Sequence, residues 1–202
     1  LKLMEHTEEK SQKPTFYGLG IAPKLLDILT SKNYINPTPI QERTIPIALE
    51  GKDVVGIAQT GTGKTLAFVV PMLQRLAQMN NGSTGLILAP TRELALQIEE
   101  TVRLIGGPLG VKTAVVIGGA SMYLQAQQLR RNPNIIIATP GRLIDHLAQK
   151  SVNLGPVRVV VLDEADRMLD MGFAPQINKI LPLLKKEKQV LLFSATMPDQ
   201  IV

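Results

Sequence analysis

From Pro23 onward the apolar positions fall into two alternating kinds of run. Leu25, Leu26, Ile28 and Leu29 recur at helical spacing before the polar Ser31, Lys32 and Asn33. A second helical stretch covers about Ile40 to Leu49 and is closed by Gly51. Short β-branched runs follow at Asp53–Ile57, Leu86–Ala89, Thr113–Ile117, Ile135–Ala138, Val157–Leu162 and Val190–Phe193. Amphipathic stretches long enough for crossover helices lie between them, at Thr65–Met79, Glu93–Ile105 and Pro175–Leu184. This alternation predicts βαβ units and an α/β fold with a parallel β-sheet. Most of the strands read apolar on both faces, as a sheet with helices on both faces requires. The polar start, residues 1–14, predicts a flexible arm before a single domain over 15–202.

Polar and Gly-rich clusters follow the strands in turn. They are 58–65 (AQTGTGKT), 90–93 (PTRE), 118–119 (GG), 139–142 (TPGR), 163–166 (DEAD) and 194–196 (SAT). Any one of them is ordinary turn chemistry. In an open parallel sheet, however, the carboxyl ends of the strands share one edge, where ligands bind. Six clusters on that edge predict one extended site.

Composition narrows the classes. The chain has 202 residues, 45% of them hydrophobic, which excludes global disorder. Cys is absent, which excludes a disulfide framework, a thiolate metal site and a Cys nucleophile. Trp is absent and aromatics are 3%, so a binding mode built on many stacking rings is not expected. No apolar stretch approaches the roughly 18 residues of a membrane span, and the charged start has no secretory h-region. An intracellular, cytoplasmic chain is expected. The net charge of +5 is mildly basic and does not by itself locate a nucleic-acid surface. The chain begins at Leu1 rather than Met, which reads as a fragment.

The first cluster has the essential parts of a phosphate-binding loop. Gly61 and Gly63 let backbone N–H groups turn inward, with Gln59, Thr60 and Thr62 between and beside them. Lys64 reaches the β and γ phosphates and the Thr65 hydroxyl binds Mg²⁺, while the N-terminus of the following helix faces the anion. Ala58 departs from the strict pattern, which has Gly there. Asp163 and Glu164 end an apolar run. Asp163 would hold Mg²⁺ and Glu164 would orient and deprotonate an attacking water, although Asp163 could instead cap the helix near Ala165. Upstream, Gln41 offers one donor and one acceptor, the complement of the N6 and N7 edge of adenine. Tyr34 could stack on that base with Phe16 supporting it. Equally, both rings could be core and Gln41 a helix-surface residue.

These motifs, in this order, resemble those of the DEAD-box RNA helicases, from about Phe16 to Thr196. The resemblance implies the N-terminal RecA-like P-loop NTPase domain of such an ATPase, using ATP/ADP and Mg²⁺. It gives Phe16, Tyr34 and Gln41 to adenine recognition, and Ala58 to Thr65 to phosphate and metal. Lys64, Asp163 and Glu164 take catalysis, with Thr65 and Asp163 as metal residues. Ser194 and Thr196 would couple ATP use to strand separation through Asp166. Pro90, Thr91, Arg92, Gly119, Thr139, Pro140, Gly141 and Arg142 would grip the RNA backbone without reading sequence. Asn33 stands where the family usually has Gly, and Asn tolerates left-handed angles. For Arg92 an ion pair with nearby acids is the competing reading.

The family also implies a second lobe that supplies arginine fingers, worth about 10³–10⁵ in rate in related NTPases. An isolated, monomeric fragment is then expected to bind adenine nucleotides but to hydrolyse ATP and unwind RNA poorly. The competing classes are a non-catalytic RNA- or protein-binding module and a P-loop enzyme of another family, such as a DNA helicase or a small-molecule kinase. His6 and His146, the only histidines, are expected to be solvent-exposed and without a catalytic role. The 185–188 run (KKEK) is expected to be a solvated connection.

Overall fold

The computed structural model describes residues 13–80 and 82–197. The expected arm falls mostly outside these residues, as does His6. Six parallel strands form one sheet: β1 (Val54–Ile57), β2 (Thr84–Leu88), β3 (Thr113–Val116), β4 (Ile135–Ala138), β5 (Val157–Leu162) and β6 (Gln189–Ser194). Their spatial order is β1-β6-β5-β2-β4-β3. Eight α-helices accompany them: α1 (Pro23–Ser31), α2 (Pro39–Leu49), α3 (Lys64–Gln78), α4 (Arg92–Gly106), α5 (Met122–Arg130), α6 (Pro140–Ala148), α7 (Ala165–Asp170) and α8 (Ala174–Ile180).

Handedness sorts the helices into layers. The crossovers β1→β2 and β2→β3 travel one way along the sheet, and the remaining three travel back. Right-handed connections then need opposite faces for the two directions. Accordingly α1 to α4 pack on Ile87, Ile135, Ile137, Val159, Val161, Leu191 and Phe193. Helices α5 to α8 pack on Leu86, Leu88, Ile136, Ala138, Val160 and Leu162. Alternate residues of one strand thus enter two different cores. The expectation of burial on both faces fails at β1. This edge strand leaves Val55 and Ile57 exposed, because no described helix covers its outer face.

Three boundaries differ from the pattern. The expected helix Pro175–Leu184 stops at Ile180, and Leu181–Leu183 is a 3₁₀ turn around Pro182, which has no N–H for the α ladder. Strand β2 runs from Thr84 to Leu88, two residues earlier than the β-branched run at its start and one at its end. Gly85 joins it because Met72 packs over the bare backbone, its sulfur 2.6 Å from where a Cβ would stand. Helix α5 was not apparent in the pattern at all. Lys185, Lys186 and Glu187 are exposed, as expected of a solvated run.

Gly56 shows how tightly β1 is seated. A Cβ there would stand 2.8 Å from the buried Phe193 ring, which itself packs on Phe68 at a centroid distance of 5.4 Å. Gly56→Val should therefore destabilise the domain by about 1–3 kcal/mol through overpacking. Thermal unfolding checks this; an unchanged midpoint would mean that Phe193 has room to move.

Candidate active site

The six clusters do meet on one edge. Register pairs Ile57 with Ser194, Leu162 with Leu192, Leu88 with both Leu162 and Ala138, and Val116 with Ala138. Backbone bonds continue the ladder past the strand ends. Ala58 N–H donates to Ser194 (2.9 Å), Asp163 to Leu88 (3.0 Å), Ala89 to Ala138 (3.0 Å) and Thr139 to Val116 (3.0 Å). The phosphate-loop, DEAD and SAT clusters lie at the β1-β6-β5 end. The remaining three lie at the β2-β4-β3 end.

In the loop after β1, Gly61 and Gly63 take φ of 86° and 79°, left-handed values that favour glycine. Gly61 faces open space, whereas a Cβ on Gly63 would strike Gln41 Nε2 at 2.6 Å. Ala58 is absent from the positive-φ residues, so its position does not require glycine. The Thr62 hydroxyl donates to the Gln59 carbonyl (2.7 Å) and tightens the turn. Helix α3 starts at Lys64, so its free N–H groups open onto this loop.

The Lys64 ammonium lies 2.9 Å from Asp163 Oδ1 and 3.5 Å from Glu164 Oε1. Both Lys64 and Asp163 are buried. Burial pushes the Asp163 carboxyl above its ordinary range, and Lys64 works against that rise. Asp163 does not cap α7: Glu164 takes the cap position, at φ 50° and ψ 52°. A left-handed glutamate is a strained backbone, of the kind that collects at functional sites. Thr60 Oγ1 donates to Glu164 Oε1 (3.3 Å) and Arg167 Nη1 donates to Glu164 Oε2 (3.3 Å). A cavity of about 220 Å³ opens here, lined by Ala58, Thr60, Lys64, Glu164, Asp166, Arg167 and Ala195. It is smaller than the roughly 300–1,000 Å³ of a complete ligand pocket, as one wall of a cleft would be. A larger apolar cavity, about 670 Å³ beside α7 and α8, holds no titratable group.

The Asp163 Oδ2 atom is buried without a hydrogen-bond partner. An orphaned, hard oxygen beside a phosphate loop fits Mg²⁺, which takes few protein oxygens and keeps the rest of its shell for water and phosphate. Among the described residues no group of three His, Cys, Asp or Glu forms a complete metal cage. Nearby, Asp166 binds the SAT cluster: its N–H donates to Ser194 Oγ (3.3 Å), and Thr196 donates to Oδ2 from both N–H (3.3 Å) and hydroxyl (3.2 Å). Burial works against charge on Asp166, but bonds from Arg167 N–H, Ser194 and Thr196 outweigh it and hold the carboxyl below its ordinary value.

Gln41 is buried near the start of α2, which excludes the surface reading. Its Oε1 accepts from Thr38 N–H (2.9 Å) and its Nε2 donates to the Gly63 carbonyl (2.9 Å). Gln41 therefore props the phosphate loop directly. Phe16 is a core ring, and Tyr34 packs half-buried on the same core. Asn33 stands at φ 63° and closes α1: Tyr34 N–H donates to Leu29 and Asn33 N–H to Thr30, the Schellman pattern.

At the other end, Arg92 is exposed and forms no ion pair among the described residues; its guanidinium lies against Gly119, at φ 76°. Pro90, Thr139 and Pro140 are buried turn residues, and Thr91 caps α4 by accepting from Leu94 N–H (3.2 Å). Gly141 faces open space. Arg142 is not a free fork. Its Nη1 donates to the Ala120 carbonyl (2.7 Å) and to Gln125 Oε1 (3.2 Å), and its Nε lies 3.7 Å from Asp145. The expectation for His146 is wrong: it is fully buried. Burial and the Arg142 charge push its pKa down, against Asp145. Its place three residues after Leu143, on the same helix face, was the available signal. Gln125, its buried partner, was missed as well.

The Lys64–Asp163 pair makes a pH-dependent prediction. Lys64→Met strands a buried carboxylate and should cost about 3–5 kcal/mol near neutral pH. A raised Asp163 pKa means that the folded state binds the extra proton, so this group's contribution to stability falls as pH rises. Removing the opposing lysine strengthens the effect. The deficit of Lys64→Met against wild type should shrink as pH is lowered toward the carboxylate range, measured by thermal unfolding. A deficit that does not change with pH would show that Asp163 is not the stranded group.

Comparison with known proteins agrees with this geometry. The family model described as DEAD/DEAH box helicase matches residues 38–202. The chain is 45% identical over 199 residues to the ATP-dependent rRNA helicase RRP3 of Yarrowia lipolytica, covering 98% of this chain and 42% of that protein. It is 47% identical over 188 residues to RRP3 of Debaryomyces hansenii, covering 93% and 39%. The chain thus spans less than half the length of these curated relatives. The crystal structure of a DEAD box protein from the hyperthermophile Methanococcus jannaschii superposes with a TM-score of 0.87 at 40% identity, covering 93% of this chain and 51% of that one. The six-stranded parallel sheet, its edge-on site and these matches together place the chain in the DEAD/DEAH box helicase family, as a RecA-like domain.

Proposed function

We propose that the chain is the ATP-binding lobe of an RNA-dependent ATPase that remodels RNA duplexes. The observation that carries this is the buried Lys64–Asp163 pair, with the half-buried Glu164 on the same ammonium, beside a glycine-turned loop. In this reading the N–H groups of Gly61, Thr62 and Gly63 surround the phosphates, and Lys64 leaves Asp163 for the β and γ oxygens. Thr65 and Asp163 would hold Mg²⁺, which when bound neutralises charge on the phosphate oxygens. Glu164 orients the attacking water and accepts its proton. Gln41 keeps one amide hydrogen and one lone pair beyond its two protein contacts, a donor and acceptor suited to adenine and mismatched to guanine.

Arg92 presents a guanidinium lying over Gly119, and Gly141 presents open backbone, for sugar-phosphate contact, so RNA is held without sequence readout. The relatives are named rRNA helicases, which makes structured RNA, and rRNA in particular, the proposed substrate class. Such ligands set an intracellular place of action. Among the described residues no helix is long and apolar enough to cross a membrane. The arginine finger and the rest of the RNA track belong, in this proposal, to the part of the relatives' length that the chain does not span. The 202-residue chain by itself is proposed to be monomeric.

Titration with a fluorescent ADP should show binding that Lys64→Ala weakens at least about tenfold, the scale of a lost charge-assisted phosphate contact. GTP should compete at least about tenfold less well than ATP. Steady-state hydrolysis by the 202-residue chain should be slow and insensitive to RNA. Equal affinity for Lys64→Ala would overturn the phosphate-loop reading, equal competition by GTP the adenine reading, and robust RNA-stimulated turnover the need for a second lobe.

A further inference from the structure

A buried polar network outside the ATP site joins the two turns that the proposed function gives to RNA. Gln125 of α5 and His146 of α6 are both buried, and neither enters the phosphate chemistry. Gln125 Nε2 donates to the Ile117 carbonyl, at the root of the Gly118–Ala120 turn (2.8 Å). That bond sets the amide orientation and turns Oε1 toward α6. Oε1 can only accept. The proton between it and His146 Nε2 (2.9 Å) therefore sits on the imidazole. In neutral His146 the other nitrogen, Nδ1, is then an acceptor, and Ser151 Oγ at 2.6 Å supplies the hydrogen. Arg142 completes the set by donating to Gln125 Oε1 and to the Ala120 carbonyl. No buried side-chain nitrogen or oxygen of these four residues lacks a partner, and the network joins the loop after β3, α5, α6 and Ser151 beyond it.

We infer that His146 and Gln125 are positioning residues that fasten the Gly118–Ala120 turn to the start of α6 at Thr139–Arg142, so that both present their backbones to RNA as one rigid surface. This rests on the RNA reading of those turns. Arg92 depends on the same fastening, because its guanidinium lies against Gly119. A fully satisfied buried network rigidifies what it joins, and loss of one member leaves several groups unpaired at once. Neither residue touches the ATP end of the sheet, so a fault here loosens the RNA grip and spares the nucleotide.

The test compares His146→Leu with His146→Gln in the 202-residue chain, using a labelled single-stranded RNA and a fluorescent ADP. Glutamine keeps an N–H donor near the position of Nε2; leucine keeps only volume. His146→Leu should weaken RNA binding about tenfold, the scale of one or two lost hydrogen bonds. Nucleotide affinity should stay within about twofold, and the amides of Gly118, Gly119 and Ala120 should exchange faster. His146→Gln should restore most of the RNA affinity. If the leucine variant folds poorly, Gln125→Met, which removes both amide groups and keeps the volume, carries the same expectations. RNA affinity unchanged in His146→Leu, or lost equally with glutamine, overturns the positioning role. Arg92→Ala separates the two levels. If it too binds RNA like wild type, the RNA reading of this face fails and the inference with it. If it weakens RNA binding while His146→Leu does not, only the inference fails.

Discussion

A lysine ammonium held between two carboxylates organises this domain. Lys64 opens α3 just after β1, and Asp163 ends β5; strand β6 lies between them. The 2.9 Å contact therefore spans the sheet edge rather than joining neighbours. Desolvating two charges is costly, and the pair is tolerable only with matching geometry and further bonds. Glu164 N–H donates to Asp163 Oδ1, and Asp163 N–H is itself held by the Leu88 carbonyl. One oxygen, Oδ2, is left without a partner. In the proposed function Lys64 would exchange this carboxylate for a phosphate, and the spare buried anion would be available to a metal.

Gln41 extends the same economy to the base. Its amide braces the start of α2 through Thr38 and the phosphate loop through Gly63. The position of Gly63 is then set by what fills the space beside it, since any side chain there would displace Gln41. At the far end of α2, Gln189 of β6 donates to the Ala48 and Lys52 carbonyls, at 2.8 Å each. Helix α2 is thus tied at one end to the loop after β1 and at the other to β6, and in the proposed function a shift of the base would be felt at Gly63.

Most of the sheet and the glycine-turned loop beside the Lys64–Asp163 pair were legible in the sequence because the signals were local. Valine and isoleucine runs buried on both faces read directly as parallel strands, and the glycine, lysine and DEAD residues carry their chemistry in their type. What escaped was set by distant contacts. Helix α5 inverts the usual pattern: Tyr123 and Leu124 are exposed while Gln125 is buried, so hydrophobic periodicity points the wrong way. The burial of His146 is marked locally only by its spacing from Leu143; the partners that satisfy its ring, Gln125 on α5 and Ser151 just past α6, are not visible in that spacing. Arg142 looked like a phosphate fork because sequence shows the guanidinium and not the Ala120 carbonyl waiting for it. That Val55 and Ile57 are left uncovered is not legible either, because the order of strands, which puts β1 at an edge, is not a local property.

The strand order also constrains how the two ends of the site can communicate. The ATP end and the proposed RNA end meet at one seam, where β5 pairs with β2 and Asp163 N–H donates to Leu88, two residues before Pro90. Backbone bonds run across this edge from Ala58 to Thr139, and a parallel ladder of that kind does not bend without breaking several bonds together. The sheet is therefore a poor candidate for the moving part. The groups that touch several partners on this edge are side chains: Lys64 with Asp163 and Glu164, Glu164 with Thr60, Arg167 and Lys64, and Asp166 with both donors of Thr196. Coupling needs an element with two arrangements that both sites bias. In the proposed function that element would be the shell of side chains and turns above the strands, with the sheet as its fixed frame.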